Sequence, residues 1–153
     1  MSPSIVNNQS SGQVDLEVDC AIPGEFSQES VNYITVTAPA QARAGEPVEL
    51  AVTLKSRAAT PRELAKNEVT AELQLEVRGP STTTLTVTGL TNPELIPQGE
   101  VVFLDLGTVS FTPDAAGVYE FVPGDHTVVT SDHPVLCKVT AGSGVAAATE
   151  VSA

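Results

Sequence analysis

The chain has no tryptophan, a single methionine, and only 2 tyrosines and 4 phenylalanines in 153 residues. Tyr33, Phe103, Phe111, Tyr119 and Phe121 all fall inside segments that read as strands, which leaves Phe26 as the one aromatic outside them. A sandwich that stacks sugars on exposed rings therefore lacks its platform. Basic residues are as scarce: 7 Lys and Arg stand against 19 Asp and Glu, a net charge of −12. Such a field repels phosphate backbones and anionic lipid surfaces, which excludes nucleic acid as a partner. No apolar run approaches the ~18 residues of a spanning helix, so membrane insertion is not expected. The opening Met-Ser-Pro-Ser-Ile-Val-Asn-Asn has neither a basic start nor an apolar core, and reads as a form without a signal peptide. Gly-x-Ser-x-Gly is absent, and Ala141-Gly142-Ser143-Gly144 is no strand-to-helix elbow, so no hydrolase nucleophile stands out and an enzyme is not expected.

What is present is apolar material in the right amount: 41% hydrophobic against 17% charged residues suffices for one core, and the length suits a single domain. The charge is uneven. Residues 43–78 hold 6 bases (Arg43, Lys55, Arg57, Arg62, Lys66, Arg78) and 6 acids, and so are neutral. Residues 1–42 carry 5 acids and no base, and residues 79–153 carry 8 acids against Lys138. If the chain ends meet in the fold, part of the surface is strongly anionic; a solubility role is the plain reading and a cation-binding or partner-steering face the sharper one.

Hydrophobic periodicity is that of β-structure. Val14, Leu16, Val18 and Cys20 alternate with Asp15, Glu17 and Asp19, a half-buried strand with one acidic face. Val31–Ala38 is β-branched and aromatic, and Val48, Leu50, Val52 and Leu54 alternate with polar neighbours. Between 56 and 67 a loop is expected, with at most one helical turn capped by Thr60. Val69–Arg78 is the longest clean alternation, and Gly79-Pro80 ends it. Thr83–Thr88 reads as an exposed strand, while Val101–Leu106 and Val109–Phe111, apolar on both faces, read as a doubly covered strand interrupted near Gly107. Val118–Val122 and Thr127–Thr130 are expected to form a pair around Pro123-Gly124-Asp125, and Pro134–Thr140 to be the last strand. Gly or Pro at nearly every break, with no amphipathic helix, predicts an all-β, antiparallel sandwich of about eight strands. Residues 13–140 form the domain; residues 1–12 read as a flexible lead-in and 141–153 as a flexible tail.

Cys20 and Cys137 lie 117 positions apart, outside any Cys-x-x-Cys or Cys/His cluster. A disulfide is the natural inference and carries an oxidising, extracellular or cell-surface location with it; two buried thiols in a cytosolic domain are the alternative. Two Asp-His pairs, Asp125-His126 and Asp132-His133, face each other if their strands are neighbours, and two imidazoles with two carboxylates suit a divalent metal. Ordinary loop composition beside Gly and Pro is the plain reading of them, and the metal site the sharper one. Asp15, Glu17 and Asp19 share a face without a calcium-loop pattern. No cofactor is called for.

The run Asp114-Ala115-Ala116-Gly117-Val118-Tyr119-Glu120-Phe121 resembles the Asp-x-Gly-x-Tyr corner of immunoglobulin-like domains, with one extra residue before the glycine. That resemblance implies a Tyr119 hydroxyl bonded back to the corner backbone, with Asp114 and Gly117 shaping the turn. Pro39 followed by Gly45-Glu46-Pro47-Val48-Glu49-Leu50 looks like the lead into the second strand of such domains. There is no core tryptophan, and Phe121 stands where the family's cysteine would be, so the likeness is to bacterial modules rather than antibody domains. From Cys20 to Cys137 the chain is also similar to cysteine-bracketed β-sandwich domains of unknown function in secreted actinobacterial proteins, through Val18-Asp19-Cys20-Ala21-Ile22-Pro23, Val36-Thr37-Ala38-Pro39-Ala40 and Val135-Leu136-Cys137-Lys138-Val139. The expectation is a non-enzymatic extracellular module with a structural or adhesive role in a bacterial surface or secreted assembly, through protein partners or self-association. A virion decoration or tail protein, and a secreted inhibitor or ligand-binding protein using loops around Phe26, 92–99 and 124–133, are the competing expectations.

Overall fold

In a computed structural model the structure describes residues 4–6, 8–21, 27–130 and 133–153, and all the regular structure among them is strand. Eleven strands share one hydrogen-bonded sheet: β1 (Ser4–Val6), β2 (Gln9–Ala21), β3 (Ser27–Pro39), β4 (Gln41–Arg43), β5 (Val48–Ala59), β6 (Val69–Arg78), β7 (Thr83–Thr91), β8 (Val101–Phe111), β9 (Gly117–Thr130), β10 (His133–Ala141) and β11 (Ala147–Ser152). The pairing is antiparallel apart from the parallel contact of β4 with β11. All-β architecture follows from the alternation in the sequence. The division into two separate sheets does not appear: the path β2-β3-β5-β8-β7-β6-β9 returns to β2 through β10, which pairs with both β9 and β2, so the strands form a closed ring.

Inside the ring lie the alternating apolar residues, among them Leu16, Ile34, Val36, Leu50, Val52, Leu73, Leu75, Leu104 and Phe121, all at most 1% exposed. The clean alternation of β6 buries Val69, Ala71, Leu73, Leu75 and Val77 in turn. Other strands are less regular: β7, β8 and β9, among others, carry an extra residue opposite the partner strand. β7 sets four residues, Val87–Leu90, against the three of Ala71–Leu73 in β6, and β8 sets four, Leu104–Gly107, against the three of Val52–Leu54 in β5. β9 likewise sets four, Pro123–His126, against the three of Leu73–Leu75. Each is a β-bulge, and one extra residue flips every later side chain to the opposite face.

These bulges correct two expectations. The segment 101–111 is one strand, and it is not doubly covered. Both residue parities look apolar because inward positions switch from Val102 and Leu104 to Gly107, Val109 and Phe111, which leaves Phe103 and Leu106 outside at 44% and 57% exposure. Nor is Pro123-Gly124-Asp125 a turn. β9 runs through it, since the missing N–H of Pro123 falls at a bulge, where a ladder bond is already lost.

The ends differ from expectation as well. Residues 9–12 already pair with Val36–Pro39, so the strand begins four positions before Gln13. Among 141–153, Ala147, Thr149 and Val151 are buried in β11, which pairs with β9. Alanine and threonine hide this strand in a small-residue composition, yet they alternate as any strand does, and small side chains suit the crowded junction with β2 and β3. Residues 60–67 form no helical turn; Leu64 instead makes a single bridge to Ile96.

Candidate functional site

Cys20 on β2 and Cys137 on β10 are directly opposed in the ladder that closes the ring, and a disulfide joins them. Beside it, Cys137 is paired with His126 of β9. Because the β9 bulge reverses the parity, His126 points inward and is 3% exposed, while Asp125 points out and accepts a hydrogen bond from the Val139 N–H at 2.8 Å.

Across the interior, Asn32 projects from β3, 5% exposed, on the same face as Ile34 and Val36. Its Nδ2 lies 2.7 Å from His126 Nε2, and His126 Nδ1 lies 3.1 Å from the Gly124 carbonyl oxygen. A carbonyl only accepts, so the proton sits on Nδ1, and Nε2 accepts from the Asn32 amide. Burial pushes the His126 pKa below its ordinary value, against the opposing pull of the Gly124 carbonyl and the Asp125 charge. The ring is therefore held neutral and serves as a polar cross-brace between β3 and β9.

Above this brace the ring opens into a cavity of about 380 Å3 at the end that carries the disulfide. Leu54, Val102, Leu104, Val128 and Val135 wall it, Asn32 and Cys137 contribute to its lining, and Thr60, Pro61 and Arg62 form part of its margin. The margin is tied down. Thr60 N–H donates to the Glu100 carbonyl, Thr60 Oγ1 donates to the Arg62 carbonyl, and Arg62 pairs with Glu68.

Of the Asp-His residues, His126 is a core group with both ring nitrogens engaged, and His133 lies exposed opposite Thr130, four positions further along the ladder. Asp132, like Phe26, falls outside the described residues. Among the described residues no group of three or more His, Cys, Asp or Glu is arranged to hold a metal. At the other end of the molecule the Tyr119 hydroxyl donates to the Ala115 carbonyl at 2.9 Å, and its ring packs 5.6 Å from Phe111. Gly117 has φ 148°, a backbone setting open to glycine, and Asp114 is exposed. On β2, Asp15 and Glu17 are exposed, whereas Asp19 buries an Oδ1 that has no hydrogen-bond partner among the described residues.

Sequence reading missed Asn32 and the cavity. The signal was present in Asn32 itself, a polar residue on the apolar parity of a strand that continues through Ile34, Val36 and Ala38. No family model, no curated protein and no solved structure matches this chain.

Proposed function

We propose that the chain is a non-enzymatic, extracellular immunoglobulin-like module with a structural or adhesive role in a bacterial surface or secreted assembly. Supporting the immunoglobulin-like reading is the strand order, β3-β5-β8-β7 on one side and β6-β9-β11-β4 on the other. The chain crosses between the two at Pro39, where β3 leaves its antiparallel partner β5 and continues as β4 alongside β11. Strands that change partner at a bend make the corners of sandwiches. The Tyr119 to Ala115 hydrogen bond adds to that support.

The observation that carries the functional reading is the placement of the start of β2 and the end of β11 relative to the disulfide. The Asn8 carbonyl accepts from Ala40 N–H, and the Ser152 carbonyl accepts from Ala44 N–H, so β2 begins and β11 ends on the same short segment. Ser10 Oγ accepts from the Ala148 N–H, fastening the two together. Cys20 is ten residues along β2 from Ser10, roughly 33 Å at ~3.3 Å per residue. The start of β2 and the end of β11 thus lie together, away from the covalent staple, a layout that suits a domain held at one end and presenting the other. The staple is compatible with an oxidising, extracellular setting.

Sedimentation and intact-mass measurement on secreted material test this. A disulfide-intact domain that self-associates or captures a surface protein supports the role. A strictly monomeric protein, fully reduced as isolated from its source, overturns it. Residues 9–12 pair within their own sheet, so any strand addition to a neighbour uses the free edges of β1 or β4.

A further inference from the structure

We infer that the cavity at the disulfide end of the strand ring binds a small, uncharged, largely apolar molecule bearing one hydroxyl or N–H donor, which Asn32 Oδ1 accepts. This goes beyond the structural role and does not depend on it.

Size is the first reason. At about 380 Å3 the space falls within the roughly 300–1,000 Å3 of ligand pockets, and it is more than twice the ~150 Å3 of an apolar cavity that takes up benzene. A ring of eight strands is also of the size that holds one small ligand at its mouth. The second reason is the lining: Leu54, Val102, Leu104, Val128 and Val135 present apolar walls on several strands. A ligand carrying a net charge would lose its hydration there without compensation. Arg62 is the one charged side chain among the described lining residues, and its guanidinium stands at the margin, committed to Glu68.

The third reason is Asn32. Its amide N–H is spent on His126 Nε2, and because Nδ1 of that ring is spent on Gly124, the orientation of the amide is fixed. Asn32 Oδ1 then has no hydrogen-bond partner among the described residues, although the residue is 95% buried and lines the cavity. Asn32 Oδ1 is not fully buried, so its free lone pairs keep surface in the cavity, where a ligand hydroxyl or N–H can pair with them. The brace to His126 thus holds an acceptor beside the apolar walls, in a cavity that Gln28, Ser30, Ser56 and Thr130 also line.

Titrating the whole, disulfide-intact protein with 2-naphthol and with naphthalene, followed by probe fluorescence and backbone amide NMR shifts, tests this. One saturable site is expected, with shifts centred on Asn32, Val102 and Val128 and with 2-naphthol bound about fivefold more tightly than naphthalene. Asn32→Leu should abolish that preference while naphthalene still binds. Val128→Phe or Val102→Phe, whichever folds, should weaken both probes at least tenfold by filling the space. Leu106→Lys, on the exposed face of β8, should change neither. The proposal is overturned if neither probe saturates below millimolar concentration, if the folded filling variants bind as well as the wild type, or if the preference for 2-naphthol survives Asn32→Leu.

Discussion

Asn32 and His126, 94 positions apart in the chain, meet at 2.7 Å in the interior, the asparagine amide donating to an imidazole that burial keeps neutral. The sequence draws notice to His126 only as half of an Asp-His pair and to Asn32 not at all, yet together they brace the ring beside the cavity at its disulfide end.

That brace makes stability depend on pH in a definite direction. The native pKa of His126 lies below the ordinary 6.5, so the unfolded chain takes up the proton first as pH falls. Its contribution is complete above about pH 6.5 and is lost as pH drops from there toward the lowered native value, by at most ~1.4 kcal/mol per pH unit. Urea unfolding at about pH 7.5 and about pH 5.5 should show a loss for the wild type that shrinks in His126→Gln. Equal losses in the two proteins would refute this assignment.

Tyr119→Phe removes only the hydroxyl that reaches the Ala115 carbonyl and keeps the ring against Phe111. A loss of about 0.5–1.5 kcal/mol is expected, with no change in the amide spectrum beyond the 113–119 corner. Denaturant midpoints at unchanged m-value measure it.

Gly107 is inward-facing on β8, where an added Cβ would meet Leu90 Cγ at 2.7 Å and the Val52 carbonyl oxygen at 2.8 Å. The latter is backbone and cannot swing aside. Gly107→Ala should therefore cost about 1–3 kcal/mol, as overpacked cores do. At Gly144 nothing lies within 4 Å, and Gly144→Ala should leave the melting temperature unchanged.

The disulfide closes a loop of 117 residues. Replacing both cysteines by serine should lower stability by on the order of 4–5 kcal/mol. Pulled from its two ends, the oxidised protein can lengthen only outside that loop. Reduction should add about 400 Å of contour length at ~3.5 Å per residue. Force-extension traces before and after reductant measure this increment, and an unchanged length would show that the bond is not formed.

How far the fold was legible depended on strand parity. Where a strand keeps period two from end to end, as Val69–Arg78 does, its inward residues are read directly from the sequence. Where a bulge adds one residue, the reading fails from that point on. Without the extra residue between Pro123 and His126, Asp125 would face inward and His126 would face solvent. The same slip made 101–111 seem apolar on both faces. The last strand was hidden for a different reason: Ala147, Thr149 and Val151 are too small to register as a core pattern, though they bury fully against β9.

The sequence by itself determined the all-β class and most strand positions, because alternation and turn residues act locally; it made a Cys20–Cys137 bond the natural inference, and the opposed ladder positions of the two residues decided it. Tertiary structure alone decided the closure of the sheet through β10, the inward turn of His126 and its meeting with Asn32. Bulge position is set by the pairing between strands, and a cavity is what those pairings leave unfilled. No single segment encodes either one.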